Sequence, residues 1–306
     1  MIGAILLALA PIVLLIAAGH EMRRLRFLSE AFWPQAERLC YYALLPALFI
    51  HALGMADLGD VPVAALAGAL VVSILCVAAV LLAVRPWLGV APAAFTSVFQ
   101  GGVRFNTYVG VSATVSLLGA SALPLAAVAS ATIVPVVNIL CVLVFARWGA
   151  ARASFMGALR AIVLNPLVIG CAIGIAMQGA DLDLPPALEP FIRALGQASL
   201  PIGLLCVGAA LDWGALGRGL RPALAASFAK FVLMPLATFA MIALFGLSGP
   251  AATVAILFQA LPTASSSYVM ARQMGGDAPL MAGIVALQTL LAALAIPAAL
   301  LLLTPS

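Results

Sequence analysis

Hydrophobic residues along this chain come in long runs separated by short polar connections, with no sustained alternation of the kind a half-buried strand requires. The runs fall at 2–19, 39–55, 62–84, 93–118, 121–146, 161–178, 191–211, 222–246, 250–271 and 279–303. A helix crosses the hydrocarbon core of a bilayer with roughly 20 apolar residues, fewer or more with tilt. The pattern therefore predicts an all-α membrane protein of ten transmembrane helices, with no length left for a soluble domain. The first run has no lysine or arginine ahead of it and is followed by Arg23, Arg24 and Arg26. It is expected to be a retained helix rather than a cleaved leader.

Basic residues alternate with the runs. The odd-numbered connections hold Arg23, Arg24, Arg26, Arg38, Arg85, Arg147, Arg152, Arg160, Arg218, Arg221 and Arg272, while the even-numbered ones hold Asp57, Asp60, Asp181, Asp183 and Glu189. Cytoplasmic connections carry the excess of lysine and arginine, so this places the odd connections inside and both termini in the periplasm of an inner membrane. Composition agrees: 65% of residues are hydrophobic and 8% charged, with a mean hydropathy of +1.23. Such a chain cannot clothe a soluble surface. The net charge of +4 is explained by this topology rather than by nucleic acid. Cys40, Cys76, Cys141, Cys171 and Cys206 are scattered singly and read as small hydrophobic residues, not as metal ligands or disulfides.

Proline positions suggest a duplication. Pro11 and Pro166, Pro46 and Pro201, and Pro124 and Pro279 are each 155 residues apart, as are Gly19 and Gly174, and Asp57 and Asp212; Phe99-Gln100 matches Phe258-Gln259 with a four-residue slip. Five helices per half, an odd number, would make residues 1–150 and 151–306 inverted-topology repeats, a device of secondary transporters whose sites lie at the midplane on interrupted helices.

Two runs carry such interruptions. The fourth contains Gln100, Gly101, Gly102, Arg104, Asn106 and Thr107, and Arg104 lies eleven residues in from Ala93, roughly 16 Å at 1.5 Å per residue. The ninth contains Pro262, Thr263, Ser265, Ser266 and Ser267. A glycine pair permits unwinding and a proline removes a backbone donor, so helices four and nine are expected to break near Gly101-Gly102 and Pro262. A guanidinium at that depth costs about 2.5 kcal/mol or more unless it faces a cavity or partner. No acidic residue falls within an apolar run, so Arg104 is expected either to meet an anionic ligand or to clamp carbonyls freed by the break.

The stretches RFNTYVGVSATVSLLG at 104–119, NPLVIGCAIGIAM at 165–177 and LPTASSSYVMARQMGGDAPLMAGIVALQTLL at 261–291 resemble the auxin efflux carrier family, which includes bacterial malonate and malate permeases and the plant PIN exporters. The resemblance implies two inverted five-helix repeats like those of bile-acid and sodium-proton transporters, arranged as scaffold and transport domains with crossed, broken helices four and nine. It places Asn106, Thr107 and Pro262 at the crossover. It also implies a carrier, not an enzyme, for a small organic anion: a mono- or dicarboxylate such as malonate or malate, or an auxin-like acid, moved by elevator-type alternating access. An anion channel or an uncoupled uniporter is the alternative. No cofactor is expected, and coupling to protons or sodium is left open. The expected partners are the organic anion, the lipid bilayer and a second copy in a homodimer.

Candidate substrate-binding residues are Arg104, Asn106, Thr107, Gln100, Gly101, Gly102, Pro262, Thr263, Ser265, Ser266, Ser267, Gln288 and Asn138. Lys230 is expected to snorkel toward the headgroups from the eighth run, and His51 is an isolated polar residue in the second.

Overall fold

The computed structural model describes residues 2–56, 62–150, 164–180, 182–217 and 219–304. Among them there is no strand, and the chain is an all-helical membrane protein. Helices α1 (Ile2–Arg24), α2 (Phe32–Leu39) and α3 (Leu45–Gly54) come first, the latter two joined through a π-helical turn at Cys40–Leu44. Next are α4 (Val63–Leu88), α5 (Pro92–Val103), α6 (Thr107–Leu118) and α7 (Leu123–Trp148). Then follow α8 (Pro166–Gly179), α9 (Leu188–Ala209), α10 (Leu220–Phe228) and α11 (Met234–Phe245), the last two joined by a π turn at Ala229–Leu233. The chain closes with α12 (Gly249–Gln259), α13 (Ser266–Gln273) and α14 (Ala278–Leu303).

Six helical stretches are single pieces long and apolar enough to cross a membrane: Gly3–Arg24, Val63–Leu88, Ala120–Trp148, Leu188–Ala209, Leu220–Phe245 and Ala278–Leu303. They coincide with six of the ten expected runs. Of the other four, the second shares its helical stretch with the polar α2, the fourth and ninth are broken, and the sixth begins at 161–163, outside the described residues. Lipid takes the place of water at the surface: Leu7 is 76% exposed, Leu294 75% and Leu302 79%.

Prolines open α5, α7, α8, α12 and α14 at the first turn, where a missing N–H costs nothing. Side chains cap three of the helices. Asn106 accepts from the Val109 N–H at 3.3 Å, Asn165 from Leu167 N–H at 2.9 Å, and Asp277 from Leu280 N–H at 3.0 Å.

Two layers result. A panel of α1, α2–α3, α8 and α9 is held by small residues at its crossings, as expected where lipid supplies no hydrophobic drive between helices. A Cβ on Gly174 would lie 2.8 Å from Leu53 Cβ, and one on Gly196 would lie 2.9 Å from Leu48 Cα. The remaining helices form a thicker body in which α11 packs on α4, α4 on α7, and α10 on α5 and α14. At one end of the molecule the connections are tied together. Arg23 donates to the Ala209 carbonyl at 2.6 Å, Asp277 N–H to Ala93 O at 3.2 Å, and Ala150 N–H to Gly275 O at 3.0 Å. At the opposite end His51 pairs with Glu189 at 2.9 Å, and Arg193 lies 3.4 Å from the same carboxylate oxygen.

Candidate functional site

Both expected interruptions are present, but not where glycine flexibility would put the first. Gly101 and Gly102 are helical, and α5 ends at Val103; Arg104 is extended, and α6 starts after Asn106. The glycines serve close approach instead. A Cβ on Gly101 would fall 2.7 Å from Ile284 Cγ2 and one on Gly102 2.6 Å from Leu81 Cδ1. The second break runs from Ala260 to Ser265, with Pro262 buried inside it.

Breaking two helices inside a membrane exposes backbone groups that need partners. Gln288 of α14, fully buried, supplies one for each break: its Nε2 donates to Gly101 O at 2.9 Å, and its Oε1 accepts from the Thr263 N–H at 3.0 Å. Thr263 and Ser267 share a hydroxyl hydrogen bond at 3.1 Å. Gln259 donates to Leu70 O and Ser73 Oγ, while Gln100 reaches only Met281 Sδ, at 3.9 Å. These residues brace the breaks from behind.

In front of the breaks lies a cavity of about 900 Å3 between panel and body. Of the thirteen sequence candidates, Arg104, Asn106, Thr107, Asn138, Ser265 and Ser266 line it; Gln100, Gly101, Gly102, Pro262, Thr263, Ser267 and Gln288 do not. Arg104 donates to Asn138 Oδ1 at 2.8 Å and to Ser266 Oγ at 3.3 Å, with Met270 Sδ at 3.5 Å. All of these are side-chain groups, so the guanidinium does not clamp broken-helix carbonyls. α6 begins at Thr107 and α13 at Ser266, both of which line the cavity with Arg104, so each helix starts there with the positive end of its dipole.

Sequence reasoning missed the other wall. Helix α2 begins at Phe32, below the apolar run, and carries Glu37 into the cavity, while the π turn after it carries Tyr41. Glu37 Oε1 accepts from Ser265 Oγ at 2.9 Å, and Tyr41 Oη accepts from Asn165 Nδ2 at 3.0 Å. No acidic residue falls within an apolar run, but Glu37, just ahead of the second run, shares the cavity of Arg104 with no ion pair joining them. The signal was available in the helical spacing of Trp33, Ala36 and Cys40, all buried, which continues the span past its polar start.

Lys230 also departs from expectation. It is fully buried rather than snorkelling, its ammonium without a hydrogen-bond partner, on the π turn whose Ala229 faces Gly102.

The cavity opens where the tied connections lie, since Pro34, Arg38, Asn165 and Gln273 line it. A second crevice, of about 510 Å3, opens at the His51 end between α1, α3, α6 and α9. About one helical turn separates the two: Leu45 and Tyr108 face the first, Leu48 and Ser112 the second. The Tyr108 ring packs against Gly203, where no Cβ would fit.

A family model described as Membrane transport protein matches residues 150–300. No curated protein matches the chain. That match covers α8 to α14, including the second break, and it places this half of the chain in the auxin efflux carrier family of membrane transport proteins.

Proposed function

We propose that this protein is a secondary transporter of a small organic anion, held by its carboxylate at the two breaks and carried by elevator-type alternating access. The observation that carries this reading is Arg104: a guanidinium at an interrupted helix, on a one-sided cavity, with no carboxylate among its partners. A bound carboxylate would receive the planar fork of Arg104 together with the positive dipole ends of α6 and α13, each favourable to negative charge. Mono- and dicarboxylates such as malonate or malate, or an auxin-like acid, are the substrate class.

The architecture behind this reading is ten spans arranged as two inverted five-helix repeats, residues 1–150 and 151–306, in an inner membrane with periplasmic termini. Packing supports it. α1 against α9 has its counterpart in α8 against α3, α4 against α7 in α10 and α11 against α14, and α5 against α14 in α12 against α7. The panel would be the scaffold and the body the moving part. Two crevices that fail to meet support alternating access over an open channel, and with the basic connections inside, the cavity faces the cytoplasm.

The test is uptake into proteoliposomes of a labelled carboxylate panel, with and without sodium and a pH gradient. Saturable flux that disappears in Arg104→Ala is expected. Flux that does not saturate, or that survives unchanged in Arg104→Ala, would defeat the reading.

A further inference from the structure

The cavity contains a second charge that an anion alone does not use. Glu37 enters from the panel and Arg104 from the body, and the two are linked through neighbouring residues of the second break. Ser265 donates to Glu37 Oε1 at 2.9 Å, while Ser266 accepts from Arg104 at 3.3 Å. Among the described residues no cation lies within 4.0 Å of Glu37, and no carboxylate lies that close to Arg104. Arg38 lines the same cavity but is exposed. The site thus holds an acidic and a basic side chain, neither with an ion-pair partner, on opposite walls and joined to adjacent serines.

We infer that the substrate carboxylate belongs to a small amino acid, a molecule that presents a carboxylate to Arg104 and an ammonium to Glu37. This rests on the transporter reading above: it keeps the carboxylate at Arg104 and replaces a net anion by a dipolar ion. A molecule with both charges satisfies both walls at once through charge-assisted hydrogen bonds of about 2.8 Å. A simple monocarboxylate satisfies Arg104 and leaves Glu37 bare in a low-dielectric cavity. A dicarboxylate sets its second charge against Glu37, and such like-charge juxtaposition is how sites reject wrong partners. Because Glu37 is on the panel and Arg104 on the body, the dipolar ligand also bridges the two layers.

The experiment compares molecules that differ only at the amine. Purified full-length protein is titrated with L-alanine, L-lactate and propionate, and binding is read by calorimetry and by competition for flux in proteoliposomes. Wild type is expected to favour L-alanine over both by about tenfold or more, the value of one good charge contact. Glu37→Gln keeps an acceptor for Ser265 but loses the charge, and it should erase most of that preference while propionate binding holds or improves. Wild-type protein that binds propionate as tightly as L-alanine overturns the inference, as does an unchanged ratio in Glu37→Gln. In either case, loss of carboxylate binding in Arg104→Ala would leave the anion reading intact. Failure of all three compounds to bind would overturn this inference, and with unchanged flux of every carboxylate in Arg104→Ala, the anion reading too. The wild-type comparison needs no variant, so misfolding of Glu37→Gln cannot shelter the idea.

Discussion

Single side chains in this protein divide between those that face the cavity and those that keep the breaks intact, and substitutions should separate the two groups. Arg104→Ala should abolish transport while the apo protein melts near the wild-type temperature, because its observed partners, Asn138, Ser266 and Met270, are neutral. Arg104→Lys should rescue flux poorly, since an ammonium lacks the planar fork that grips a carboxylate with two bonds. Flux in the two variants and their melting temperatures check both statements. Gln288→Leu should behave in the opposite way. It leaves Gly101 O and the Thr263 N–H buried without partners, at about 1–3 kcal/mol each, so it should lower the melting temperature by several degrees even without ligand. Arg104, Asn106 and Ser266 were legible in the sequence because polar residues inside an apolar run are conspicuous. Glu37 was not, because it lies on a span that starts before its apolar run does.

At the scale of the helix, the breaks were legible and their mechanics were not. A polar patch with two glycines reads as a place where the chain can unwind, yet the structure keeps Gly101 and Gly102 helical and uses them to bring α5 against Ile284 and Leu81. Packing won over conformational freedom, because hydrogen-bonded helix was available up to Val103 and Leu81 and Ala229 leave no room at Gly102 for a large side chain. Gly102→Leu should therefore destabilise the protein strongly, as overpacking of a filled core does, whereas flexibility alone would be lost just as fully in Gly102→Ala. A much larger melting-temperature loss for leucine than for alanine is the expected outcome. The π turns at Cys40–Leu44 and Ala229–Leu233 had no signal in hydropathy at all. An extra residue in a helical turn changes register without changing apolarity.

For the whole molecule, the long apolar runs were enough to find six spans to within five residues at each end, and the two-layer arrangement came only with the structure, since pairing between distant helices leaves little trace in a single chain. The inside-out labelling pattern is the sharpest check at this scale. In a Cys76→Ala background, which removes the exposed native cysteine, Val142→Cys in the larger cavity and Ser116→Cys in the smaller crevice should react with impermeant thiol reagents from opposite sides of the membrane. Val142→Cys is expected to react from the cytoplasmic side; equal reaction of both from one face would contradict the proposed orientation.

Gln288 has one further consequence. The position 155 residues earlier is Ile133, fully buried and unable to donate or accept. If the chain arose by duplication, one half has since taken over the fastening of both interruptions, and its twin has let that task go. The molecule's two faces then differ in kind: turned over in the membrane, it would not present the same energies to the same cargo. If the protein alternates between an inward and an outward conformation, as proposed, this one amide is enough to make the two unequal in energy.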